Sequence, residues 1–219
     1  MAHQGWDSAT IDMQHGAIGF DAAYAMLVAI STTETMPIVR VPSNEPGLIG
    51  RVLDAGAFGV MCPTIETASE AAAFAGACRY TPEGVRSVGP SRAGYYAGRD
   101  YVANANATIL TLAQIETAKG LANVRSIAQT PGIDVLFVGP TDLGLSLGRA
   151  AKPDQDDPIV VEGIDTVLRT ARAANIRAGI YCASATYAAA MIAKGFDLVT
   201  VVSDEGLLAG GHAIRAQFT

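Results

Sequence analysis

A chain of 219 residues can bury one large core. No long Pro/Ser/Gly-rich linker divides it, so residues 1–219 read as a single domain. Half of the residues are hydrophobic and 16% are charged, a balance that excludes a disordered or fibrous chain and suits a compact α/β protein. The net charge of −6, with scattered rather than clustered basic residues, lacks the footprint of a nucleic-acid or acidic-membrane binder and points to small-molecule partners.

The first six residues have no apolar signal core, and no run approaches the ~18 apolar residues of a membrane span. The expected location is cytoplasmic, without membrane association. Cys62, Cys78 and Cys182 are odd in number and show no CxxC or finger spacing, which argues for reduced thiols and against a disulfide framework or a structural zinc site.

Along the chain, β-rich runs alternate with alanine-rich helical stretches. SATID (8–12) is the first predicted strand and Phe20–Ser31 the first helix. MPIVRVP (36–42) leads to a helix at Pro46–Ala55, and AFGVMCP (57–63) to one at Thr67–Arg79. ILTLAQIE (109–116) precedes a helix at Lys119–Gln129, and DVLFVGP (134–140) precedes one at Pro158–Ala174. IRAGIYC (176–182), a helix at Ala185–Lys194 and DLVTVVSD (197–204) complete the rhythm, with His212 in a predicted C-terminal helix. Two segments, Gly84–Asp100 and Gly148–Asp157, read as long functional or interface loops.

Strands that alternate with helices imply a parallel sheet with right-handed crossovers. Near-continuous apolar strands such as VLFV imply burial on both faces, which leaves a (β/α) barrel or an open doubly wound sheet.

Polar residues gather where these strands end, the rim on which parallel β/α folds build sites. Gln114 and Glu116 share one face of their strand through its two-residue period. Asp142 follows the next strand and can approach Glu116, and two carboxylates plus water and substrate oxygens suit Mg²⁺ or Mn²⁺. His15 lies beyond a strand end, three residues after Asp12, where the acid can orient it as a base. Arg40 is a guanidinium in an apolar strand, where an anion or dipole must meet it.

Each has a plainer reading. Glu116 fits an ion pair with an arginine or the first turn of a helix, Thr141 or Asp142 an N-cap, His15 a satisfied core or surface residue, and Arg40 a structural pair. The three lysines, Lys119, Lys152 and Lys194, avoid strand ends, which argues against a Schiff-base mechanism. No GxSxG elbow, P-loop or GxGxxG turn occurs in its required context.

Together, ID-x-x-H (Ile11–His15), VRVP (Val39–Pro42), AQIET (Ala113–Thr117) and VGPTDLG (Val138–Gly144) resemble the HpcH/HpaI family of metal-dependent pyruvate aldolases. The resemblance covers nearly the whole chain. It implies a (β/α)8 TIM barrel, here without its first strand and most of its first helix. It also implies Glu116 and Asp142 as ligands of Mg²⁺, Mn²⁺ or Co²⁺, with Gln114 holding a metal-bound water.

By the same resemblance His15 moves protons with Asp12 orienting it, and Arg40 polarises the keto oxygen and stabilises the enolate. Pro140 and the backbone amides around Thr141 and Asp142 receive the pyruvate carboxylate. The implied reaction joins pyruvate to an aldehyde, or cleaves a 4-hydroxy-2-oxo acid, through a pyruvate enolate. The alternatives are a citramalyl-CoA or malyl-CoA type lyase, and a non-catalytic keto-acid-binding member.

Two departures stand out. Gln14 replaces a residue that is often Glu, and the absent strand normally contributes to the aldehyde side of the pocket. The resemblance further implies a homotrimer or homohexamer. The segment with Arg92, Tyr95 and Tyr96 is then a candidate for subunit contact or pocket closure.

Overall fold

The structure, a computed structural model, describes residues 1–201, 203, 204 and 206. Seven strands form one wholly parallel sheet in chain order, curled into part of a barrel. They are β1 (Ser8–Asp12), β2 (Met36–Arg40), β3 (Gly59–Cys62), β4 (Leu110–Ile115), β5 (Val135–Val138), β6 (Arg177–Cys182) and β7 (Leu198–Val201). Among the described residues, β1 pairs only with β2 and β7 only with β6, so the ring is not closed. Every predicted strand is present among the described residues, β1 with its predicted bounds and the others with fewer residues than predicted. The predicted C-terminal helix with His212 lies outside the described residues.

The sheet separates two apolar layers by residue parity. Ile38, Met61, Leu112, Val135 and Phe137 form a small inner cluster. Their sequence neighbours Val39, Val60, Ala113, Leu136 and Val138 face outward into the main core under the helices. Burial on both faces explains why these strands read as unbroken apolar runs. Each fully buried aliphatic side chain contributes roughly 1.5–3 kcal/mol of transfer free energy. Gly179 is needed on the inner face, because a Cβ there would stand 2.6 Å from the Phe137 ring.

Local chemistry sets the helix starts. α1 (Phe20–Ile30) follows β1, and α2 (Pro46–Asp54) begins where the Glu45 carboxylate accepts the N–H groups of Gly47 and Leu48. α3 (Ala68–Cys78) has a capping box of Thr67 and Glu70. Among the helices that went unpredicted are α4 (Ala93–Ala97), inside the segment expected to be a loop, and α5 (Tyr101–Thr108), just after it.

The helix expected at Lys119–Gln129 is two, α6 (Ala118–Ala122) and α7 (Val124–Ala128). Asn123 breaks it, with its side-chain amide donating to the Glu66 carbonyl at 2.9 Å. α8 (Pro140–Ser146), α9 (Pro158–Ala173) and α10 (Ala185–Lys194) follow β5, the loop at 148–157 and β6. α9 buries Val160, Ile164, Val167, Leu168 and Ala171 along one stripe.

No helix among the described residues is long and apolar enough to cross a membrane. The three cysteines are free and buried.

The segment carrying Arg92 is not placed to close the pocket. Arg92 donates to the Ala55 carbonyl at 2.8 Å and the Ser31 hydroxyl at 2.6 Å. Both acceptors lie ahead of strands, Ser31 before β2 and Ala55 before β3. Tyr96 packs edge-on against Phe58, the residue before β3. This segment therefore covers the N-terminal end of the sheet, opposite the polar rim.

Candidate active site

The C-terminal rim gathers side chains from distant parts of the chain. An open cavity of about 410 Å³ is lined by Gln14, His15, Thr64, Glu116, Thr117, Asp142, Leu145 and Ser146. A larger groove of about 530 Å³ lies between α7 and α9 and is lined by residues such as Arg125, Gln129, Thr166 and Arg169, with no carboxylate or imidazole. The carboxylates and the imidazole line the smaller one.

Glu116 stands one residue past β4 and is 5% exposed. Its Oε1 accepts the backbone N–H of Thr64 at 2.9 Å and the Thr64 hydroxyl at 3.0 Å. Its Oε2 accepts the side-chain amide of Gln114, the residue below it on the same strand face. The close partner expected of a buried glutamate is thus a set of neutral donors rather than an arginine. Gly139 makes room for this pair, since a Cβ there would lie 2.6 Å from Glu116 Oε2 and 3.0 Å from Gln114 Nε2.

Asp142 is not an N-cap. Gly139 caps α8 and Pro140 occupies its first turn, which leaves Asp142 as the acidic residue of that turn. It is exposed and lines the cavity. Thr141 and Asp142 carry N–H groups that the helix itself does not use.

Asp12 and Arg40 meet, but the expected contact between the Asp12 carboxylate and the His15 ring is not made. The carboxylate takes Arg40 Nε at 2.9 Å and Nη2 at 2.5 Å. Its Oδ1 also accepts the backbone N–H groups of Gln14 at 3.0 Å and His15 at 3.3 Å. Asp12 shapes the turn that presents His15 and leaves the ring itself free of that carboxylate. Gly16 completes the turn, because a Cβ there would be 2.1 Å from the Asp12 carbonyl oxygen. Burial favours protonation of Asp12, but the Arg40 hydrogen bond and charge and the two backbone donors outweigh it and hold the carboxyl below its ordinary range. Neither Asp12 nor Arg40 is among the cavity-lining residues.

Thr64 escaped the sequence reading. It is exposed, yet it holds φ +54, a left-handed conformation costly for a β-branched residue. Such strain costs on the order of 1–3 kcal/mol and gathers at functional sites. The signal available in the sequence was its place just beyond β3, on the same rim as the other candidates.

The donors suit a hard divalent cation. Glu116 and Asp142 supply carboxylates, and Gln114 Oε1 is a buried acceptor with no hydrogen-bond partner. Among the described residues, no group of three or more His, Cys, Asp or Glu side chains is arranged to hold a metal. Two carboxylates with the remaining sites left to water and substrate match how Mg²⁺ is commonly held.

Neither Cys62 nor the lysines are set up as nucleophiles. Burial, and then the charges of Glu116 and Glu70, push the Cys62 thiol up to about 12, so it stays protonated. Each lysine is ion-paired: Lys119 with Glu66 at 2.8 Å, Lys152 with Asp156 at 2.5 Å and Lys194 with Asp165 at 2.5 Å. None is a desolvated free amine of the kind that forms Schiff bases.

Residues 1–210 match the family model of HpcH/HpaI aldolase/citrate lyase. A hydroxypyruvate/pyruvate aldolase of Rhizorhabdus wittichii is 42% identical over 95% of this chain and 83% of its own length. A 5-keto-4-deoxy-D-glucarate aldolase of Shigella dysenteriae is 36% identical over 93% of this chain and 79% of its own. The crystal structure of an HpcH/HpaI aldolase/citrate lyase family protein from Burkholderia cenocepacia superposes with a TM-score of 0.91 at 36% identity, covering 100% of this chain and 88% of that one.

Proposed function

The chain belongs to the HpcH/HpaI aldolase/citrate lyase family, and from that premise we propose a divalent-metal-dependent aldolase that forms or cleaves 4-hydroxy-2-oxo acids through a pyruvate enolate and an aldehyde. The observation that carries this reading is the convergence of His15, Glu116 and Asp142, from three separate strand ends, on one cavity. The seven-stranded sheet is read as a TIM-type barrel short of one strand.

Glu116 and Asp142 would hold Mg²⁺, Mn²⁺ or Co²⁺, with the unpartnered Gln114 Oε1 available to a water beside it. When bound, the cation would act as a Lewis acid that favours negative charge on the keto oxygen of pyruvate. The backbone N–H groups of Thr141 and Asp142, beside Pro140, would receive the substrate carboxylate.

Arg40 would stabilise the enolate oxygen, and Asp12 would fix the plane of its guanidinium through two hydrogen bonds. His15 would move the proton at the methyl carbon or at the aldehyde oxygen, its backbone anchored by Asp12. Removing Arg40 or His15 would then impair the chemical step more than substrate binding.

Trp6, Tyr24, Met26 and Val28 are exposed apolar side chains near β1 and on α1. They support the expectation of a homotrimer or homohexamer, in which such surface is covered. The function is tested by lyase assays with 4-hydroxy-2-oxo acids after chelation and after metal return. Activity that survives chelation contradicts it.

A further inference from the structure

Thr64 combines three features that its local sequence does not account for. It is exposed, so it fills no core; it is β-branched, yet held at φ +54; and its N–H and hydroxyl both reach one oxygen of a buried carboxylate. Glycine or asparagine would take this conformation at less cost. The strain persists because both flanks are tied down.

On one side, Pro63 restricts the chain entering the turn. On the other, the Ile65 N–H donates to the Gln114 carbonyl at 3.1 Å. Glu66 then receives the Thr117 hydroxyl at 2.9 Å and Lys119 at 2.8 Å, while its carbonyl receives Asn123 at 2.9 Å. The turn after β3 is thus bolted to β4, α6 and the start of α7. Gly120 permits this approach, because a Cβ there would lie 2.9 Å from the Ile65 carbonyl oxygen.

The left-handed turn aims the backbone and side-chain donors of Thr64 at Glu116 Oε1, while Gln114 holds Oε2. A carboxylate gripped at both oxygens has little rotamer freedom. We propose that Thr64 is a positioning residue whose hydroxyl fixes Glu116 in the orientation that a divalent cation takes. The inference rests on the reading of Glu116 as a cation ligand. Thr64 acts through Glu116, and the strained backbone is what lets one residue supply both donors.

The test is direct Mn²⁺ binding to the full chain by electron paramagnetic resonance of the free ion, together with thermal melts without metal. Thr64→Val keeps the branching, the strain and the backbone N–H but removes the hydroxyl donor. It should weaken Mn²⁺ binding about tenfold, the scale seen when groups that orient metal ligands are removed. Thr64→Ser should restore it to near the unsubstituted level. Thr64→Gly relieves the strain, so it should melt no lower than Thr64→Val and still bind Mn²⁺ weakly, which a purely structural role would not produce.

Glu116→Gln separates the two layers of the argument. If it loses Mn²⁺ while Thr64→Val binds as the unsubstituted protein does, the role of Thr64 is overturned and the cation reading stands. If Glu116→Gln itself binds Mn²⁺ undiminished, both are overturned.

Discussion

Asp12 and Arg40 are direct register partners across β1 and β2, and the guanidinium grips both oxygens of the carboxylate. The pair joins the two residues that the sequence placed at the ends of neighbouring strands. It also assigns Asp12 a different task from the one expected, because its free lone pairs go to the backbone of the His15 turn rather than to the imidazole.

The pair gives acid stability a sign. The folded-state pKa of Asp12 is lowered, so its contribution is fully present above the unfolded value of about 3.9. It is lost as pH falls through the folded value. Thermal melts at stepped pH from 7 to 3 should show an acid-side loss that is smaller in Asp12→Asn. The Arg40 and Asp12 side chains are 21% and 32% exposed, respectively, and solvent screening keeps the difference on the order of 1 kcal/mol or less. An unchanged acid slope in the variant contradicts this account.

Gly139 should be intolerant of the smallest side chain. Its absent Cβ lies 2.6 Å from Glu116 Oε2, so Gly139→Ala must push the carboxylate or the amide of Gln114 aside. We expect kcat/KM to fall by about 10–100-fold, as when groups that set metal ligands are disturbed. Circular dichroism should show the helices intact. Wild-type kinetics in this variant would show that the Glu116 geometry does not matter to the reaction.

The segment at the opposite end of the sheet should separate stability from activity. Arg92→Ala leaves the buried Ala55 carbonyl without its side-chain donor and takes one partner from the Ser31 hydroxyl, which keeps its bond to the Val28 carbonyl, and should cost about 1–3 kcal/mol in denaturant melts. Tyr95, 93% exposed, should be replaceable by Ala with kcat/KM within about twofold, as for surface positions far from a site. A selective loss of activity in Tyr95→Ala would restore a role for this segment in the pocket.

The strands were legible because burial on two faces leaves a plain apolar run, and the rim residues because polar side chains at strand ends break that run. The short helices were not. α5 buries only Tyr101 and Ala105, too few positions for a helical period to emerge. The break at Asn123 depends on Glu66, a partner that sequence spacing cannot name. The approach of Glu116 and Asp142 was expected from the order of β4 and β5, whereas that of His15, which follows β1, came only with the resemblance. The grip of Thr64 on Glu116, across 52 positions, depended on a backbone conformation that threonine seldom adopts and that only tertiary ties explain.

The most direct test of the central claim is exchange of the pyruvate methyl protons with deuterated solvent, followed by proton NMR with Mg²⁺. The account predicts exchange that stops on chelation, returns when Mg²⁺ is restored and is lost in Glu116→Gln. Exchange that continues without metal, or pyruvate trapped on a lysine by borohydride, would contradict it.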